Sequence, residues 1–238
     1  MPLTNVRFYA PSRFFRDERA ATLEELALEP VFDGAEMGLL PDVLAPKLRL
    51  ARYYAPLFAA AFGDTAITND RAARALAMFV RSLKTTDSKL DSMLALAVQI
   101  TPSEQRGLLM FEGLGCKSCH ESYAVASHSA RNNGLNSSSG DAGARHGRFK
   151  APSLRNAVLR PPYMHDGRFN ALEEVIEFYD HGVQANPDLD RQLRDRSGAP
   201  KLLHLTDTDK TDLMAFLRMM TDRRFLSDPR FASPFVRQ

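Results

Sequence analysis

GLGCKSCHESY (residues 113–123) holds both cysteines of this 238-residue chain, Cys116 and Cys119, with His120 directly behind them. Four chemistries compete for such a stretch. A zinc site needs four ligands; Cys116, Cys119 and His120 supply three at most, with His128 or His146 to complete the set from a polar excursion further on. A thioredoxin-type CxxC opens a helix after a strand, and no alternating strand pattern precedes this one. Two unrelated structural thiols would leave both the spacing and the histidine without a reason.

Covalent haem attachment uses every feature of the motif. Two thiols three positions apart can both add to the vinyl groups on one porphyrin edge, and the next residue, His120, falls under the iron as proximal ligand. The flanks suit this reading: an apolar helix carrying Leu108 and Phe111 runs straight into the motif. The expectation is one covalent haem c on an all-α, cytochrome c-like domain.

The totals exclude other classes. Thirty-one Lys+Arg against 29 Asp+Glu leave a formal charge of +2, too little to argue for nucleic acid or an anionic surface. No apolar run approaches the roughly 20 residues of a membrane span. The opening MPLTNVRFYAPSRFFRDERA mixes Arg, Asp and Pro with its apolar residues, unlike the apolar stretch of a signal peptide.

The readable elements are helical. In ITNDRAARALAMFVRSL, Ala72, Ala75, Leu76, Phe79, Val80 and Leu83 recur at helical spacing and predict one buried face. TPSEQRGLLMF opens with Thr101, Pro102 and Glu104, a capping box with proline in the first turn. NALEEVIEFY repeats the signal more weakly from Asn170 and Glu173, with Leu172, Val175, Ile176 and Tyr179 on one face. LTDTDKTDLMAFLRMMTD starts at Thr206 or Asp207 and is expected to bury Leu213, Phe216, Leu217 and Met220. Residues 127–147, crowded with Ser, Asn and Gly, read as a surface excursion. A boundary near residue 100 divides the chain into a helical segment, 1–100, without a CxxCH of its own, and a haem domain, 101–238.

Outside the haem motif, FKAPSLRNAVLRPPYMHDGRFNALEEVIEFYDHG (149–182) resembles the C-terminal haem domain of bacterial di-haem cytochrome c peroxidases and their MauG-like relatives. RFFRDERAATLEELALEPVFDGAEMG (13–38) resembles the segment between that family's two haem domains, so the likeness runs over nearly the whole chain. The resemblance implies a periplasmic redox protein in which an electron-transfer haem serves a second, peroxide-reducing haem on another CxxCH. That second motif is missing here, so the chain reads as a partial, N-terminally truncated member. Hydrogen peroxide reduction is expected only of the complete two-haem form. The implied partners are a small cytochrome or copper protein and an N-terminal haem domain. The alternatives are a self-sufficient one-haem electron carrier and a zinc-stabilised module.

The same resemblance points to individual residues. Relatives place their sixth iron ligand fourteen residues after the histidine of the YMHDG stretch, which here is Tyr179; Met164 is the other candidate, since thioethers are common sixth ligands. His181, or no protein ligand, remains open. His165 is expected beside the haem as a hydrogen-bonding support, and Arg155 as a partner for a haem propionate. Glu36 matches the acid/base glutamate of the peroxide pocket. Arg16 stands where relatives carry a tryptophan between the haems, and Leu26 where they carry glutamine. The family's calcium site uses backbone oxygens near RPPY, where this chain has Arg160.

Overall fold

The computed structural model describes residues 2–9, 13–120, 129–138 and 140–233. Its larger core forms where α6 (Pro102–Gly113) crosses α8 (Asp207–Met219). Thr101 and Thr206 cap these helices by accepting from the amides three residues on, while Glu104 and Asp209 reach back to the capping residues' own amides. The crossing depends on Gly107. A Cβ there would lie 2.0 Å from the Asp212 carbonyl oxygen, so only glycine lets the backbones meet this closely. Beside it, the buried Asp212 carboxylate accepts from Arg106 Nε at 2.6 Å and Nη2 at 3.0 Å.

Around the crossing, Phe111, Leu213, Phe216, Leu217 and Met220 pack with Leu172 and Ile176 of the short α7 (Leu172–Glu177). Ala171, not Asn170, is the capping residue of α7. Glu174 does the reaching back, accepting from the amides of Asn170 and Ala171 at 2.7 and 2.9 Å. The sequence division at residue 100 places α5 (Lys89–Leu94) in the first half, yet Leu90 is fully buried in the second half's core and Ile100 packs against it.

A smaller core joins α1 (Leu23–Phe32) to α4 (Asn69–Ser82) through Leu23, Leu26, Ala77 and Val80. The predicted face of α4 is only partly correct. Ala72, Val80 and Leu83 are buried, but Ala75 is exposed, and Leu76 and Phe79 are 44% and 49% exposed. Ala73 and Ala77 are buried in their place, and Ala77 packs in the cluster with Leu23 and Leu26 of α1. Phe79 meets Phe231 edge-on instead, with ring centroids 6.1 Å apart. Helices α2 (Pro41–Leu50) and α3 (Tyr54–Phe62) lie beside α4, and α9 (Arg223–Ser227) follows α8.

The N-terminal strap is bound to this frame by a buried amide pair. Asn5 Nδ2 donates to Thr85 Oγ1 at 2.6 Å, and Thr85 N donates back to Asn5 Oδ1 at 3.0 Å. Among the described residues the strands are two residues each, β1 (Ala130–Arg131) and β2 (Phe149–Lys150), antiparallel with Ala130 opposite Lys150. The predicted surface excursion is therefore corrected at its centre. Asn132, Gly134 and Leu135 are buried, and Leu135 packs with Phe178, Val183 and Leu189. Gly134, at φ +68°, makes this possible, since a Cβ would lie 2.8 Å from the Gln184 carbonyl oxygen. No described helix is long and apolar enough to cross a membrane.

Candidate haem site

Helix α6 delivers the cysteines. It ends at Gly113 with Leu114 as its cap, Gly115 turns the chain at φ +90°, and Cys116–Ser118 form a 3₁₀ turn. With three residues per turn, positions i and i+3 fall on one side, which is what two thiols bound for one porphyrin edge require. Cys116, Cys119 and His120 all line one cavity of about 500 Å³, within the range of cofactor sites. Burial pushes the Cys116 thiol up to about 11. The His120 ring places Nδ1 2.9 Å from the Pro152 carbonyl oxygen. As donor in that contact Nδ1 keeps its hydrogen, which leaves Nε2 with a free lone pair. Burial outweighs the carbonyl contact and holds the imidazole below its ordinary pKa, the neutral form a metal needs.

Met164, His165 and Tyr179 line the same cavity, with Leu172, Val175 and Ile176 on its apolar wall. Tyr179 sits on a π-type turn, Phe178–Gly182, which continues α7. Burial pushes its phenol up to about 12, against the lowering effect of the Asn133 amide. Met164 has φ +70°, a left-handed backbone uncommon for its side-chain type. Its loop is closed by Tyr163 N–H donating to the Phe169 carbonyl at 2.7 Å. The His165 ring stacks on Phe149 at 3.8 Å and 9°, while its carbonyl accepts from Arg16, which also lines the cavity. The contacts of His165 thus run through its stacked ring and its backbone oxygen.

Arg155 needs correction as a propionate partner. It is buried away from the cavity lining, with Nη1 and Nη2 forked onto the Asp91 carboxylate. Asp91 lies 64 residues away in sequence, so no local pattern announces the pair. Arg160, by contrast, does line the cavity, as do Arg16, Arg131, Lys150 and Lys201. Arg160 Nη2 donates to the carbonyls of Ser153 at 3.0 Å and Arg155 at 3.4 Å, and its buried Nε has no partner among the described residues. An apolar cradle, an imidazole with one nitrogen free and a guanidinium with an unused donor suit a porphyrin that carries carboxylates.

Glu36 lies on the exposed turn after α1 and does not line this cavity. Leu26 is core. His128 lies outside the described residues; His146 is largely exposed, 3.7 Å from Asp188, and takes no part in the cavity lining. Among the described residues, the group whose ligand atoms come within 4.8 Å of one another is Glu177, Asp180 and His181, not the cysteine stretch. Lys210 Nζ already bridges the two carboxylates of that group, which makes it an ion-pair network.

Sequence reasoning missed Lys150, which is buried on the cavity wall with its ammonium 3.2 Å from the centroid of the Tyr9 ring. The Tyr9 hydroxyl donates to Glu18, and burial raises the Tyr9 pKa. Desolvation pushes Lys150 from 10.5 down to about 7, partly opposed by the Glu18 charge. Between those values the unfolded chain binds a proton that the folded chain does not, so this site adds stability as pH rises. Lys150→Met should flatten that rise. In urea titrations of the holo chain at pH 7, 8, 9 and 10, the mutant's advantage should be largest at pH 7 and shrink towards pH 10. The change is on the order of 3 kcal/mol once the ring's attraction for the ammonium is allowed for. A gap that stays constant with pH would show that Lys150 is charged throughout.

A family model described as di-haem cytochrome c peroxidase matches residues 1–98. The methylamine utilization protein MauG of Methylophilus methylotrophus is 32% identical over 216 residues, covering 86% of this chain and 62% of that protein. MauG of Paracoccus denitrificans (strain Pd 1222) is 30% identical over 266 residues, covering 89% and 68%. A crystal structure of a MauG-like protein associated with microbial copper homeostasis superposes with a TM-score of 0.79 at 28% identity, over 94% of this chain and 75% of that one. The chain thus spans about three fifths of the length of the first of these relatives. With the matched model, these identities and a shared all-α, cytochrome c-like fold, the chain belongs to the di-haem cytochrome c peroxidase and MauG family, whose cofactor is haem c.

Proposed function

We propose that this chain is an electron-transfer protein of the periplasm, carrying one covalent haem c in the cavity beside Cys116, Cys119 and His120. The observation that carries the reading is that both thiols, the histidine with its free Nε2 and the two candidate sixth ligands line one cavity. When bound, the haem supplies a one-electron couple. Cys116 and Cys119 would hold it through thioethers, each adding its S–H across a vinyl double bond, sulfur to one carbon and hydrogen to the other, with no oxidant required. His120 would offer Nε2 to the iron while the Pro152 carbonyl holds its other nitrogen. Tyr179 would be the second protein ligand, and Arg160 would offer its Nε–H to a propionate. The apolar wall of Leu172, Val175 and Ile176 would keep water from the porphyrin.

Electrons pass to or from a small cytochrome or copper protein. Reduction of hydrogen peroxide belongs to the two-haem arrangement, because the glutamate that would move its proton, Glu36, stands outside this cavity. Expressed with a haem-maturation system and an export signal, the chain should give one haem per polypeptide in a pyridine haemochrome assay, and peroxide turnover should be weak or absent. Two haems, none, or turnover at roughly 1–1000 per second would overturn the proposal.

A further inference from the structure

Asn133 lies in the cavity wall between the two candidate ligands. Its Nδ2 is 3.4 Å from Tyr179 Oη and 3.6 Å from Met164 Sδ, so a single amide group faces both. The orientation of the amide is built in, because Oδ1 accepts from Leu135 N–H at 3.3 Å and so directs the NH₂ group to the other side. The backbone beneath is tied down as well. Asn132 Oδ1 accepts from Gly134 N at 3.0 Å, Asn132 Nδ2 donates to the His146 carbonyl at 3.0 Å, and the Gly134 carbonyl accepts from Gln184 N at 2.8 Å. Asn133 is therefore a fixed donor.

We propose that Asn133 is the positioning residue for the sixth iron ligand, donating one N–H to the Tyr179 oxygen while its other contact holds the Met164 sulfur in place. This rests on the reading of Tyr179 as ligand. A phenol oxygen bound to iron keeps a lone pair for a second partner, whereas a thioether sulfur is a weak acceptor. Donation from Asn133 withdraws electron density from the oxygen, weakens it as a donor to ferric iron and so raises the reduction potential.

The test uses the holo chain and reads potential and spectrum. Asn133→Leu keeps the shape but deletes the donor. It should lower the potential and move the phenolate-to-iron charge-transfer band to longer wavelength. Each tenfold gain in ferric over ferrous binding appears as about 59 mV for a one-electron couple. Asn133→Asp keeps the acceptor for Leu135 N–H and also removes the donor, so it should shift both readouts the same way should the leucine variant fold poorly. On a Tyr179→Phe background, Asn133→Leu should add no further shift. A shift of the same size on that background overturns the inference, because Asn133 then acts by another route. If Tyr179→Phe changes the ferric spectrum while both Asn133 variants leave potential and band in place, this inference fails and the ligand reading stands. If Tyr179→Phe changes nothing, both fail together.

Discussion

Cys116→Ala combined with Cys119→Ala is expected to remove all covalent haem and to cost the second half of the chain its ordered core. The thiols are the only groups of their kind in the sequence, so no second attachment chemistry can take over. The structural consequence follows from size. Without the group it is shaped to hold, a space of about 500 Å³ leaves its apolar walls short of packing partners. Leu172 and Ile176 of α7 and Leu213 and Leu217 of α8 would move first, since they face the space directly. Haem staining after denaturing electrophoresis should be lost, near-UV circular dichroism should weaken, and the thermal transition should fall or broaden. Each single mutant should retain haem through its remaining thioether. A double mutant with haem still covalently bound would show that the attachment site lies elsewhere. One without haem but with an unchanged thermal transition would show that the cavity is not part of the core.

The legible part of this protein is what short-range rules encode. The CxxCH stretch is a local chemical code, and the three side chains it singles out line one cavity. The capping box at Thr101/Glu104 was readable because its partners lie three residues apart, and the start of α8 was readable at Thr206 or Asp207, of which Thr206 is the cap. Long-range pairings were not. Arg155 and Arg160 are close in sequence and alike in type, and only the fold gives one to Asp91 and the other to the cavity. On α4, spacing marked apolar positions but could not say that Ala77 would pack against α1, leaving Leu76 and Phe79 at the surface. Asn133 was hidden for the opposite reason. It stands in a run of small polar residues that reads as solvent-facing, yet Leu135 anchors that run in the core and brings the amide to the cavity.

The sixth ligand tests how far the helix and the loop on the cavity wall can be told apart. Tyr179→Phe keeps the ring that meets Phe178 at 5.0 Å and deletes only the oxygen, so the fold should survive. A phenolate oxygen is hard and anionic and favours ferric iron, whereas a thioether is neutral and favours ferrous iron. The unmodified holo chain should therefore have a low potential and lack the near-infrared band of His/Met ligation. In Tyr179→Phe the ferric spectrum should change and the potential rise. Met164→Leu should leave both nearly untouched. The loop at Met164 is held by Tyr163 N–H on the Phe169 carbonyl and by the Tyr163 hydroxyl on the Ala157 carbonyl at 2.9 Å, so its shape does not depend on sulfur. Reversed results would move the ligand from the π-type turn after α7 to that loop. A rise in potential in Tyr179→Phe together with a new near-infrared band would mean that Met164, released from sharing the Asn133 amide, had taken the vacated position.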